Sequence, residues 1–306
     1  MTLQPRLDDL LELRHRARTL GLASHHLVNS TFSGLYASVF RGTGLDFEEV
    51  REYYEGDDIR NMDWNVTART NIPHLKVFRE ERERSVLLCV DKSPHMSFGT
   101  RGTFKSVQAA RAAALLGWAA NSLNDRAGGL LFGDAATGQQ HFRPTKDRRA
   151  LWRLLHALSQ PGAEEFVRGD PLTAALKRAE QTTNIGSLVF VIADFNRPIE
   201  SLEQPLGRIC QRHTVALLPV DDPADRELPA MGRVVFHDPR GNRMEIDTDD
   251  PKGRQVYTET WESRRRMLKA VANRLGILFI PLLTSEDVHL TLSRGLHRRL
   301  QTRAVR

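Results

Sequence analysis

Three short apolar runs, at residues 86–90, 187–193 and 214–220, constrain this chain more than any other feature of its sequence. Continuous runs of this length fit strands buried on both faces, as in the middle of a parallel sheet. The stretches between them carry helical periodicity. Strands alternating with helices imply the α/β class: a doubly wound, mostly parallel sheet with helices on both faces. The first run ends in an acid, Asp91, and the second in another, Asp194. Right-handed crossovers put both acids on one carboxyl-end rim, where open α/β sheets gather ligands. Ser93, His95 and Ser97 follow Asp91, and Pro94 and Gly99 hold them in a loop. This loop reads as a site, and it reads equally as a turn whose acid simply stops the strand.

With 306 residues the chain can bury a sizeable core, as one large domain or one domain with an appendage. Hydrophobic content of 40% and charged content of 27% are ordinary for a globular protein. No apolar run approaches the roughly 20 residues needed to span a bilayer. The first twenty residues lack the apolar core and cleavage site of a signal peptide, so the expected location is cytoplasmic. Cys89, in the first run, and Cys210, in a helical stretch, read as small core residues rather than as a disulfide. The net charge is +6, and five arginines without an acid lie between Arg294 and the end. Aromatic interleaving, zinc spacing and a helix-turn-helix signature are all missing there, so nucleic acid is not an expected partner. A solvated terminal helix is the first reading of this end, and a surface for an acidic protein is the second.

In chain order, leucines spaced among charges predict a helix over 6–20, ending at Gly21. Residues 75–81 suggest a strand that turns at Glu83-Arg84 to pair with the first core strand. Helices are expected over 104–123, 146–159, 171–183, 199–212, 252–275 and 285–300. Further strands are expected at 127–132, at 137–142 on an edge, and at 277–282, with a hairpin from 232–237 and 243–246. The domain boundary is placed at 84/85. An N-terminal helix and platform (1–84) would precede the α/β domain with its C-terminal helices (85–306).

The segment 42–69 is unusual, because acids and arginines interleave with Phe47, Tyr53 and Trp64. Such spacing suits a folded network of arginine forks and carboxylates, a rigid platform or a docking face. Asp57-Asp58 after Gly56 reads as a turn and a helix N-cap. Gly42 and Gly44 are too sparse for a phosphate cradle.

Asp91-x-Ser93 and the later Asp194 resemble parts of a von Willebrand factor type A domain. In such domains D-x-S-x-S, a loop threonine and a second-strand Asp form a metal-ion-dependent adhesion site. Gly56-Asp57-Asp58-x-Arg60-x-x-Asp63-Trp64, directly before such a domain, resembles the DUF58 family over roughly 35–200. The resemblance implies a von Willebrand factor A-like fold and a protein-binding, adaptor role. It also implies association with a MoxR-type AAA+ ATPase in the assembly or maturation of client proteins. The implied metal set is Asp91, Ser93, His95, Asp170 and Asp194, for a divalent cation such as Mg²⁺ or Mn²⁺.

Two positions depart from the family pattern. His95 stands where the second serine would be, and Asp170 stands where the threonine would be. Mg²⁺ wants six hard oxygens, and an imidazole shifts preference toward Mn²⁺ or Zn²⁺. A third carboxylate would over-neutralise a bound ion, so a metal-free alternative is open in which protonated His95 sits among the acids. The competing function is a metal-dependent phosphatase or hydrolase using Asp91. Ser93 stands where the second Asp of haloacid-dehalogenase-like phosphatases would be. Neither a nucleophile elbow nor a P-loop is present. The expected protein is therefore not an enzyme, and its degenerate adhesion site contacts a protein partner.

Overall fold

The computed structural model describes residues 3–28, 45–54, 57–80, 85–162, 167–237 and 243–303. Helix α1 is Leu7–Val28. Strand β1 (Leu45–Glu52), helix α2 (Trp64–Thr70) and strand β2 (His74–Glu80) follow. Next come β3 (Ser85–Asp91), α3 (Lys105–Ser122), β4 (Arg126–Asp134), β5 (Gly138–Thr145) and α4 (Arg148–Ser159). The chain continues through α5 (Pro171–Thr182), β6 (Leu188–Ala193), α6 (Glu200–Cys210), β7 (Thr214–Asp221) and α7 (Pro223–Arg226). A hairpin of β8 (Arg233–His237) and β9 (Arg243–Asp247) leads to α8 (Pro251–Arg274). Two short strands, β10 (Leu278–Phe279) and β11 (Leu282–Leu283), precede α9 (Val288–Arg303).

The chain divides into two compact units, Tyr36–Glu83 and the remainder, Met1–Leu35 with Arg84–Arg306. In the larger unit the sheet order is β10-β7-β6-β3-β4-β5, with β11 also on β7. The pairings of β3 with β4 and β6, and of β7 with β6, β10 and β11, are parallel; β5 joins β4 antiparallel at the edge. This is the doubly wound α/β fold the apolar runs imply. All seven residues of β3 are buried, as a central strand covered on both faces requires. Leu87 and Cys89 join one core cluster with Leu172 and Leu176 of α5, Leu206 of α6 and Leu268 of α8. Leu88 points the other way, toward α3, where a Cβ on Gly117 would lie 3.5 Å from Leu88 and 2.8 Å from Leu151 of α4. Gly117 thus lets two helices and the sheet close together without a void.

Several expectations change. Helix α1 passes Gly21 and ends at Val28, since an interior glycine costs a helix only about 1 kcal/mol. It also belongs to the larger unit rather than to a platform ending at residue 84: Leu10 is buried, and Trp118 Nε1 of α3 donates to its carbonyl at 3.0 Å. The single strand expected over 277–282 is two, because Pro281 has no N–H for the ladder.

The smaller unit is built on the antiparallel pair β1–β2, with a bulge between Phe47 and Glu49. Strand β2 pairs there and not with β3, contrary to expectation. Asp57 accepts two bonds from Arg51, at 2.7 and 2.8 Å, and one from the Tyr54 backbone. The Arg51 hydrogen bond is the largest influence holding the Asp57 carboxyl below its usual value. Asp63 caps α2 through the Asn65 and Val66 N–H groups and lies 3.6 Å from Lys76. Asp57 and Asp63 are thus scaffolding, while Trp64, 67% exposed, is not packed. The Arg60 side chain, Gly56 and the Gly42/Gly44 pair lie outside the described residues.

Candidate functional site

In an open α/β sheet the crevice opens where successive strands are added on opposite sides. Here that point lies between β3 and β6, since the chain moves from β3 out to β4 and then back to β6. Asp91 ends β3 and Asp194 follows β6, so the topology alone brings the two acids together.

Asp91 is 1% exposed, and its oxygens are occupied. Oδ1 accepts from the Ser93 N–H at 2.8 Å and from the Ser93 hydroxyl. Gly133, at φ +90°, closes over this pair from β4; a Cβ there would meet Ser93 Oγ at 2.0 Å and Asp91 Oδ1 at 2.8 Å. A single helical turn at Pro94–Met96 lifts His95 over the site. Its Nε2 lies 3.3 Å from Asp91 Oδ2 and 3.5 Å from Asp194 Oδ1. Burial disfavours the imidazolium. The hydrogen bond to Asp91 and the negative charges of Asp194 and Asp91 outweigh it and raise the pKa above 6.5.

Asp194, 4% exposed, accepts from the Asn196 N–H at 3.0 Å. Its other oxygen lies 3.8 Å from the Lys105 ammonium. Burial pushes this carboxyl up, but His95, Lys105 and the Asn196 bond together hold it below its usual value. Lys105 comes from the first turn of α3, is 3% exposed, and pairs with Asp225 of α7 at 2.8 Å. Arg265 of α8 grips Asp221, at the end of β7, and the Asp194 carbonyl. Burial nevertheless keeps the Asp221 carboxyl above its ordinary value. Beside it, Asp222 accepts from the Thr100 N–H at 2.8 Å and from the Thr100 and Thr284 hydroxyls. That carboxylate ties the loop after β3 to the segment after β11.

Of the five expected site residues, Asp91, Ser93, His95 and Asp194 come together. Asp170 does not join them. It caps α5, accepting from the Leu172 and Thr173 N–H groups at 3.1 and 3.3 Å, and pairs with Arg197. Pro171 at the first helical position makes Asp170 a natural N-cap, and a cap aims its carboxylate at its own helix. Beside Asp194 stands a cation, Lys105. Sequence reasoning missed Lys105, at the start of its helix. It also missed Asp221 and Asp222, although they obey the rule that found Asp91 and Asp194: an acid directly after a continuous apolar run.

Among the described residues, Asp91, His95 and Asp194 each offer a ligand atom within 4.8 Å of the others. These residues do not fit a hard divalent cation. The Ser93 hydroxyl is turned onto Asp91, the imidazole stands between the carboxylates, and an ammonium already lies beside Asp194. The described residues include no helix long and apolar enough to cross a membrane.

The family described as "Protein of unknown function DUF58" matches residues 49–267. The chain is 32% identical over 279 residues to "Uncharacterized protein Rv1480" of Mycobacterium tuberculosis (strain ATCC 25618 / H37Rv), covering 88% of this chain and 84% of the relative. Among solved structures it is similar to BatB from Bacteroides thetaiotaomicron, with TM-score 0.43 and 16% identity over 71% of this chain and 99% of that one. It is also similar to a von Willebrand factor type A structure from Catenulispora acidiphila, with TM-score 0.39 and 10% identity over 75% of this chain and 43% of that one.

Proposed function

The chain belongs to the DUF58 family, and from that premise we propose that it is a non-catalytic, cytoplasmic adaptor that docks a protein partner at the rim around Asp91 and Asp194. The partner in this reading is the MoxR-type AAA+ ATPase that the sequence resemblance implies, together with a client undergoing assembly or maturation. The adhesion site is degenerate and works without a resident metal.

One observation carries the reading: each of the site's acids has a cation of the chain beside it. Two cations of the chain, the Lys105 ammonium and the His95 imidazolium, stand against Asp91, Asp194 and Asp225. A buried carboxylate pair without such partners would demand an external ion. The same contacts argue against Asp91 as a nucleophile. Both its oxygens are engaged, it is buried, and among the described residues no proton donor for a leaving group is poised apart from the His95 that already holds it.

Calorimetric titration tests the metal claim. The parent shows no Mg²⁺ or Mn²⁺ heat below about 1 mM, equivalent to a binding free energy weaker than about 4 kcal/mol. The double variant His95→Ser, Lys105→Gln restores a hydroxyl and removes both internal cations; it binds Mg²⁺ at least about tenfold more tightly. Hydrolysis of p-nitrophenyl phosphate with Mg²⁺ tests the enzyme alternative. Parent activity that vanishes in Asp91→Asn would overturn the adaptor reading, and tight Mg²⁺ binding by the parent would overturn the metal-free site.

A further inference from the structure

A groove of about 500 Å³ lies between α1, α3 and α4, all in the larger unit. Its apolar lining is Leu11, Trp118 and Trp152, the last 43% exposed. Three arginines also line it, Arg14 from α1 and Arg148 and Arg149 from α4, against one acid, Glu12. His15 adds no charge, since its Nε2 accepts from Arg14 Nε at 3.2 Å, which leaves the ring neutral. Asp8 and Asp147 flank these residues along the two helices, but Arg18, Lys146 and Arg153 flank them too, so the excess of cations persists.

Folding does not account for these arginines. All three are exposed, and none pairs with a carboxylate among the described residues. Arg148 and Arg149 open α4, whose first turn holds no acid, and a cation there opposes the helix dipole. A guanidinium fork meets carboxylate and phosphate alike, so the apolar lining decides the class of partner. His156 stacks on Trp152 at 5.0 Å, and Trp118 is fixed by its N–H bond to the Leu10 carbonyl. Nucleic-acid bases therefore find no pair of open aromatic faces. Insertion into a bilayer needs apolar groups that project, and these line a recess. An acidic peptide segment with aliphatic side chains matches both parts of the lining.

We infer that this groove is a second docking surface, which takes an acidic, leucine-bearing segment of a protein partner. The segment's carboxylates lie on Arg14, Arg148 and Arg149, and its leucines lie against Leu11 and Trp152. The surface is far from the rim. Helix α3 starts at the rim with Lys105 and reaches the groove at Trp118, about 20 Å further along. Near the C-terminus of α4 the Ala157 carbonyl accepts from Lys92, next to Asp91, at 2.9 Å, while the first residues of α4 line the groove. The inference goes beyond the docking reading above and does not depend on it: a chain with both surfaces can hold two partners at opposite ends of its sheet.

The test uses the full chain and three capped peptides as probes: Glu-Glu-Leu-Leu-Glu-Asp-Leu, a version with each Leu as Ser, and a version with each acid as Lys. Calorimetry gives the affinity, and the Trp152 indole N–H resonance, assigned with Trp152→Phe, locates the binding. The acidic Leu peptide binds and shifts this resonance. The Ser version binds about tenfold or more weakly, since apolar burial is lost. Arg148→Glu with Arg149→Glu, at exposed positions, weakens binding about tenfold, and added salt narrows that gap. Arg233→Glu with Arg243→Glu, at exposed positions of the β8–β9 hairpin, makes the same change in net charge and leaves the affinity as it was. A silent Trp152, a Lys version that binds as well, or equal losses in the two double variants would overturn the inference. Tighter binding of oligothymidylate or of phosphatidylserine vesicles through Arg148 and Arg149 would assign the groove to nucleic acid or membrane, and would overturn it too. So would a dimer, seen by sedimentation, that Arg148→Glu with Arg149→Glu dissolves, since a second copy would then be the occupant. Tight Mg²⁺ binding or phosphatase activity in a parent that still binds the peptide sinks the rim reading and leaves the groove standing. A parent that passes both rim tests and ignores the peptide sinks the groove alone.

Discussion

His95 stands 3.3 Å from one carboxylate and 3.5 Å from another, so its charge is set by their balance against burial. Its folded pKa lies above the ordinary 6.5. The imidazolium is therefore favoured by folding. The stability it contributes is fully present below about pH 6.5 and is lost as the pH rises through the raised folded value. An NMR titration of the His95 ring should show a midpoint above 6.5 in the parent and a lower one in Asp91→Asn, which removes the main carboxylate partner. An unchanged midpoint would mean that Asp91 does not hold the imidazolium. Residue by residue, the sequence revealed Asp91, Asp194 and the His95 beside them, but not Asp221, Asp222 or the cations Lys105 and Arg265. Asp91 and Asp194 end apolar runs and are visible for that reason. Lys105 and Arg265 reach the site from helices, and one helix pattern does not say which of its cations the fold will bury.

At the scale of elements, the central strands were legible because a strand buried on both faces has no polar alternation to obscure it. The C-terminal strand was misread because Pro281 interrupts a short apolar run without changing its hydropathy. Asp170 was misread because family spacing assigned it to the rim while its local chemistry, an acid before Pro171, made it a cap. Gly133 offers a direct test of how tightly β4 closes over the site. Gly133→Ala forces a β-carbon onto φ +90° and onto Ser93 Oγ. Gly138, in the neighbouring strand, has φ +63° and nothing within 4 Å of such a carbon, so Gly138→Ala carries the backbone cost without the clash. That backbone cost is about 1–3 kcal/mol. Thermal melts should rank the two, with Gly133→Ala lower by several degrees more, and only Gly133→Ala should shift the His95 titration. Equal melting losses would mean that Ser93 and Asp91 can yield without penalty.

At the scale of the whole molecule, the sequence implied an α/β domain from residue 85 and an unusual 42–69 segment, and it grouped the first helix with that segment in 1–84, whereas the helix clusters with the larger unit. The reason is that an amphipathic helix declares a buried face without declaring what buries it. The structure supplies the partner: Leu10 is 1% exposed, Ala17 is fully buried, and Trp118 of α3 donates to the Leu10 carbonyl. The family signature behaves in the opposite way, because Asp57 and Asp63 hold the smaller unit together while Trp64 stays exposed. This difference predicts two unlike responses to truncation. Leu10→Ala empties a core position and should cost about 2–5 kcal/mol, read as a lower denaturant midpoint for the larger unit. Trp64→Ala removes an aromatic that packs on little and should stay within about 0.5 kcal/mol of the parent. Circular dichroism through a urea series would compare the two directly. A Leu10→Ala midpoint equal to the parent's would detach α1 from the core, and a large loss in Trp64→Ala would make that tryptophan part of a packed interior.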